Sequence, residues 1–237
     1  AESQSASDPY QHHRTAVRWS ERDVLRGEKD TLGLYLTGHP IDWYADDLQG
    51  LGAQALENLE RTKESVRVAG LVVSLRVIRN KRGESFGIVT LDDRTARMDV
   101  TVFTDLFADC REKLADDSLV VVEGDVSFDE FTNGLKMRAN RVDTLENARK
   151  QSASGLKIHL ETQAPEFVET LLSTIRPHLG GECPVVIAYN GDQARGEVVL
   201  GENYQVHPED SLLLELQALL GQDRVRLEFS ARTPQHA

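Results

Sequence analysis

The run from Val66 to Ile78 constrains the fold of this chain more than any other stretch, because β-branched and apolar residues recur along it without helical spacing. It reads as one long strand, and Gly70 in its middle fits the bend that a small barrel needs in order to close. A basic turn, Asn80-Lys81-Arg82-Gly83-Glu84, leads into a second strand, Phe86 to Asp93. A third, Arg97 to Phe103, follows a tight reversal. Thr104 to Ala115 then places Leu106, Phe107, Cys110 and Leu114 at helical spacing. Leu119 to Phe128 and Leu135 to Val142 supply two more strands around the loop Asp129 to Gly134. Five strands with one helix between the third and the fourth is the order of an OB barrel, assigned here to residues 65–148.

In such a barrel the face of the second and third strands, flanked by the first and last hairpin loops, holds the ligand, often a single-stranded nucleic acid. Arg76, Arg79, Lys81 and Arg82 fall at the first loop, and Lys136, Arg138 and Arg141 on the last strand. Phe86, Phe103, Phe128 and Phe131 offer rings on which bases stack, each worth roughly 1–3 kcal/mol where used. Each residue also has an ordinary role, the rings as core and the cations as solvated surface. It is their clustering that favours nucleic acid.

Charge limits how strong that binding is. The chain has 27 Lys and Arg against 39 Asp and Glu, a formal charge of -12, whereas tight non-specific polyanion binders gain affinity from excess cations and released counterions. Residues 1–65 hold 7 basic and 12 acidic side chains, 66–143 hold 12 and 14, and 156–229 hold 5 and 12. Contact with DNA is therefore expected on one face of the barrel only, weak and salt-sensitive.

Cys110 and Cys183 lie on unrelated elements, so neither a disulfide framework nor a zinc site is suggested, and a reducing cytoplasm fits. The seven histidines show no ligand spacing, and Asp92-Asp93 sits where a hairpin needs turn formers. No catalytic residues, metal or cofactor are expected. No apolar run is long enough to span a membrane. Both methionines, Met98 and Met137, lie inside barrel strands, so the chain reads as a piece of a longer protein.

Outside the barrel, residues 1–19 and 231–237 read as tails. In the helical segment 20–64, Ser20 caps a helix with Asp23 three residues on. Val24, Leu25, Leu32, Tyr35 and Leu36 form its apolar stripe through to the stop at Thr37-Gly38-His39-Pro40. After Gln151 to Gly155, which suit a flexible linker or an ordered turn, residues 156–230 read as a small α+β domain. Leu156 to Leu160 is a strand. Pro165 to Leu179 is a helix with Phe167, Val168, Leu171, Leu172 and Ile175 inward, ended by Gly180-Gly181. Val185 to Tyr189 and Glu197 to Leu200 form a hairpin around Asn190-Gly191-Asp192. A second helix opens with Pro208 in its first turn, and Val225 to Phe229 is the last strand. The second helix carries Leu212, Leu213, Leu214, Leu216, Leu219 and Leu220, too many for one inward stripe. Either some face a partner or both sides of the helix are buried. The whole is thus α+β and all-β: a helical segment, a five-stranded OB barrel and a C-terminal α+β domain.

The segment Glu28 to Pro40, EKDTLGLYLTGHP, resembles the stretch preceding the OB domain in α subunits of bacterial DNA polymerase III, the C-family replicative polymerases. Within the barrel, Ala69 to Val73, Asn80 to Gly83, Thr90 to Arg94, Val102 to Asp105, Gly124 to Asp129 and Gly134 to Met137 are similar to that family in the same order. The resemblance runs from about Trp19 to Phe229. It implies that the nucleotidyltransferase site and the internal clamp-binding peptide lie upstream, leaving this piece noncatalytic. Asp105-Leu106-Phe107 looks like the end of a clamp-binding peptide, but its place in the barrel helix favours core. The resemblance further implies that the barrel contacts single-stranded template and that the C-terminal domain docks the τ subunit of the clamp loader, alongside other replisome subunits. The docking residues expected on that basis are Leu213, Leu216, Leu220, Arg226 and Phe229. Two alternatives stand beside this: a scaffold whose barrel serves protein contacts alone, and an anticodon-binding barrel, which explains neither the EKDTLGLYLTGHP segment nor the last domain.

Overall fold

The computed structural model describes residues 19–130, 133–161, 165–191 and 194–230. Both expected tails up to Arg18 and from Ala231, and Thr132, Asp192 and the candidate ring Phe131, lie outside them. The chain divides into two compact units, 1–43 and 44–237. The second unit holds both the stretch read as the barrel and the stretch read as the C-terminal domain.

In the first unit, helix α1 (Glu21–Leu32) starts as expected, with the Ser20 hydroxyl accepting the Asp23 N–H at 3.2 Å and donating to its carboxylate at 2.6 Å. It stops earlier than the apolar stripe suggests. Gly33 takes a left-handed conformation, φ 75°, which only glycine adopts without cost, and its N–H bonds to the Lys29 carbonyl. Leu32 and Leu36 are consequently exposed and only Leu25 of the stripe is buried. The turn beyond is tied by Glu28, whose carboxylate accepts the N–H groups of Leu36 at 2.7 Å and Thr37 at 3.1 Å. Those bonds, chiefly the one from Leu36, hold its carboxyl below the usual range.

In the second unit, helix α2 (Ala45–Gly50) and a turn at Leu56–Asn58 precede the barrel. Strands β1 (Thr62–Arg79), β2 (Ser85–Asp92) and β3 (Arg97–Val102), helix α3 (Thr104–Cys110), and strands β4 (Leu119–Asp129) and β5 (Gly134–Thr144) follow. They close in the order β1-β2-β3-β5-β4, every pair antiparallel except β3 with β5. Gly70 sits where β1 changes partner: it lies opposite Val120 of β4, while the next residue, Leu71, already faces Asp92 of β2. A Cβ there would lie 3.1 Å from the Asp92 carbonyl oxygen, a tight approach that glycine relieves at this corner. The barrel interior is filled by Val68, Val89, Leu91, Val100, Val120 and Met137, with Phe107, Cys110 and Leu114 of the helical plug. Phe107 being core, its burial contributes about 1.5–3 kcal/mol, and Asp105-Leu106-Phe107 is not available as a clamp-binding peptide.

Helix α4 (Leu145–Ser152), which the sequence pattern did not reveal, runs from β5 directly into β6 (Ala153–Leu160), so 151–155 is ordered helix and strand. Helix α5 (Pro165–Ile175), strands β7 (Leu179–Cys183), β8 (Val185–Asn190) and β9 (Arg195–Val199), helix α6 (Asp210–Leu220) and strand β10 (Val225–Phe229) complete the domain. Its sheet runs β10-β6-β8-β9, with β6 and β8 parallel. Four details depart from expectation. Gly180-Gly181 lies within β7 rather than ending α5, which stops ahead of Pro177 because proline has no N–H to continue it. Val168 is exposed, not inward. Pro208 precedes the N-cap Glu209 instead of opening α6. The leucines of α6 are mostly inward, Leu212, Leu213 and Leu216 being buried and Leu219 and Leu220 half-buried on the same core.

Leu51 after α2, Ala69 of β1, Val121 of β4, and Leu145 and Ala148 of α4 form a separate cluster, against which Phe229 of β10 packs. A Cβ on Gly50 would run into the Phe229 ring. The polar part of this joint is Arg149, 2 % exposed. Its guanidinium binds the Asp47 carboxylate, with Nε 2.9 Å from Oδ2, and the Asp210 carboxylate. Tyr44 donates its hydroxyl to Asp210 at 2.8 Å, and its ring lies 5.4 Å from the Arg149 guanidinium.

Candidate nucleic-acid interface

Pleating sends alternate residues to the two sides of a barrel wall, and register aligns the outward ones into rows. Ser74, Thr90, Asp99 and Lys136 form one row across β1, β2, β3 and β5, and Arg76, Ile88, Thr101 and Arg138 form the next. Beyond them the Phe86 and Phe103 rings stack, centroids 6.1 Å apart and planes inclined by 30°. Phe86 is half-buried beneath, while Phe103 is 52 % exposed and presents a ring to solvent. Beside it a cleft of about 490 Å³ is lined by Lys63, Phe103, Asp125, Ser127, Lys136 and Arg138. It is open to solvent.

The first hairpin loop is preorganised. Asn80 Oδ1 accepts the N–H groups of Arg82 at 2.9 Å and Glu84 at 3.0 Å, and its amide donates to the Glu84 carboxylate at 2.8 Å. Gly83 turns the chain at φ 84°. Arg79 at the end of β1, and Lys81 and Arg82 on this loop, are exposed and form no ion pair among the described residues.

The cations of the wall are different. Arg76 meets Asp99 at 2.8 Å, Lys136 meets Asp129 at 3.4 Å, Arg138 meets Asp125 at 3.1 Å and Arg141 meets Asp143 at 2.6 Å. Asp99 also accepts the Thr90 hydroxyl at 2.7 Å. In each pair the cation is exposed, while the carboxylate is partly sheltered in all but Arg76–Asp99. Solvent screening at the cation keeps such a pair to about 1 kcal/mol, so a phosphate can displace the carboxylates, but it must compete with them. Asp92 and Asp93 act as turn formers. Asp93 accepts the N–H groups of Thr95, Ala96 and Leu56, and Asp92 pairs with Arg97. Both thiols are buried, and burial pushes Cys183 up to about 11, so neither is a reactive nucleophile.

Of the residues expected from sequence, Arg76, Phe86, Phe103, Lys136 and Arg138 share this face, with Arg79, Lys81 and Arg82 on the loop at its edge. Lys63, Ser127 and Asp125 were missed. Their signal was alternation on β1 and β4, but only register reveals that those positions meet Phe103. The expected docking residues fare less well. Leu213 and Leu216 are buried in the C-terminal core, Leu220 is half-buried on it, and Phe229 packs at the joint between barrel and sheet. Only Arg226 is plainly exposed.

Residues 66–145 match a family described as OB-fold nucleic acid binding domain, and residues 170–221 match the DNA polymerase III subunit alpha, C-terminal domain. The DNA polymerase III subunit alpha of Vibrio cholerae is 42% identical over 224 residues, 93% of this chain and 19% of that protein. The subunit of Escherichia coli K12 is 39% identical over 224 residues, 92% of this chain and 19% of that protein. Among solved structures, the second OB-fold domain of replication protein A from Methanococcus maripaludis matches 39% of this chain and 93% of that one at 18% identity, TM-score 0.31. The chain spans about a fifth of the length of the curated relatives it matches. An OB barrel followed by this C-terminal domain, at such identity over nearly all its residues, places the chain in the family of bacterial DNA polymerase III α subunits, as their C-terminal region.

Proposed function

We propose that this region is a noncatalytic arm of a cytoplasmic bacterial replicase, whose barrel holds single-stranded template and whose C-terminal domain docks the τ subunit of the clamp loader. The observation that carries the first half is the exposed Phe103 ring, stacked on Phe86 and standing between the free cations of the 80–84 loop and the cleft cations Lys136 and Arg138. Rings take bases and cations take the backbone, a pairing that binds single strands without reading sequence. The acidic C-terminal domain suits a protein partner better than DNA.

A scaffold reading has one observation in its favour, the carboxylate that occupies each wall cation. Fluorescence anisotropy of labelled single-stranded and duplex DNA separates the two. Template holding predicts preferential binding of the single strand, weakened by salt, and a loss of about 1–3 kcal/mol on Phe103→Ala. Absence of binding even at low salt leaves the scaffold reading in place. For the other half, the chain is expected to bind purified τ in a titration by calorimetry.

A further inference from the structure

The C-terminal sheet ends on β9, and every residue of that strand is exposed. Its hydrogen-bonding parity is fixed at both ends: the Gly191 N–H bonds to the Ala194 carbonyl, and the Leu200 N–H to the Val185 carbonyl. In an antiparallel pair such bonds recur every second residue. Residues 194, 196, 198 and 200 therefore face β8, and the N–H and C=O groups of Arg195, Glu197 and Val199 point to the open edge. Among the described residues no strand takes them up.

The side chains of this edge are unusual for a strand left bare. Val198 lies in the row of Ile187, Ile158 and Val225, the core side of the sheet, yet it is 57 % exposed. Val199, on the other side, is 65 % exposed. Open edges with apolar side chains invite pairing, and proteins normally blunt them with lysine, proline or a bulge. Here Arg195 and Glu197 are the charged residues on the strand, and Glu197 is engaged by Lys157 at 2.6 Å.

We infer that β9 is a docking edge that takes an extended, basic segment of a protein partner as a fifth strand of this sheet. An added strand pairs with the three outward backbone positions and covers Val198 on one side and Val199 on the other, the β-augmentation mode of recognition. Charge selects the occupant. Residues 156–229 hold 5 basic and 12 acidic side chains, and Glu202, three residues beyond β9, forms no ion pair among the described residues. A basic segment is attracted to that excess, whereas a second copy of this chain brings the same excess and is repelled. The inference rests on the docking half of the proposed function and says which surface performs it.

The test uses the intact chain with purified τ. Val199→Pro removes one outward N–H and leaves the β8 ladder whole, because Val199 donates nothing to β8. It is expected to weaken τ binding by at least about tenfold while thermal unfolding is unchanged, and Glu197→Lys is expected to weaken it as well. Hydrogen exchange on the unaltered chain checks the same point without a variant, since τ must slow exchange at Arg195, Glu197 and Val199. If τ binds normally to both variants and those amides stay unprotected, the edge assignment is overturned while docking itself stands. Failure of τ to bind the unaltered chain overturns both. Loss of a dimer in Val199→Pro, seen by analytical ultracentrifugation, gives the edge to a second copy and overturns the inference.

Discussion

Replacing Arg149 by methionine is expected to destabilise the second unit by about 3–5 kcal/mol, the cost of leaving a buried charge without its partner. For a chain of this size that is a fall in Tm of roughly 10 °C. The reason is the position of Asp47, inside the joint where α2, α4 and α6 meet and paired with a guanidinium that is 2 % exposed. Burial already pushes the Asp47 carboxyl above its usual value, against the pull of Arg149. Without Arg149 the pKa rises further. A carboxyl whose pKa is raised in the fold binds more protons folded than unfolded, so stability falls as pH climbs through the window above the unfolded value, and recovers as pH falls. The deficit of the variant, measured by denaturant unfolding beside the unaltered chain, is therefore expected to shrink from pH 7 toward pH 5. The double variant Arg149→Met with Asp47→Asn removes the stranded charge and is expected to regain most of the loss. A loss that is the same at both pH values and in the double variant would place the effect in packing alone.

That joint was invisible in the sequence, and the reason is physical. Period-two alternation and turn residues are local signals, and they marked all five barrel strands, the plug and four of the five C-terminal strands. The joint is built from pairs far apart in the chain, Arg149 with Asp47 and Asp210, and Phe229 against Gly50. No local pattern encodes those. Helix α4 was missed because it is short and polar, its one cue being the Thr144 hydroxyl that accepts the Asn147 N–H. The same limit explains the docking residues. A leucine-rich helix signals that apolar surface is buried without saying by what, and α6 turned out to lodge Leu212, Leu213 and Leu216 in its own domain. The barrel face was more legible, because a cation and an aromatic at alternate positions of neighbouring strands fall on one side by pleating alone. What sequence could not give was the carboxylate beside Arg76, Lys136 and Arg138, since those partners come from other strands.

Those carboxylates set the size of the second large effect. Arg79, Lys81 and Arg82 have no acidic partner among the described residues, so they are the cations a phosphate reaches without displacement, whereas Arg76, Lys136 and Arg138 each stand against an aspartate. Changing the three loop residues to alanine is expected to flatten the dependence of log K on log salt by about 2, at ~0.7 per phosphate contact on a single strand. At low salt it is expected to weaken binding by roughly tenfold to a hundredfold. The fold is not involved, as the loop is held by Asn80 and Glu84, which remain. A change of opposite sign serves as the control. Asp125→Asn removes a negative charge from the cleft wall and releases Arg138, so single-strand binding is expected to tighten and its salt dependence to steepen. Both are read from anisotropy titrations over a series of salt concentrations. If the triple variant binds as the unaltered chain does, the 80–84 loop is not the phosphate contact. If Asp125→Asn weakens binding instead, the aspartate positions Arg138 for DNA rather than competing with it.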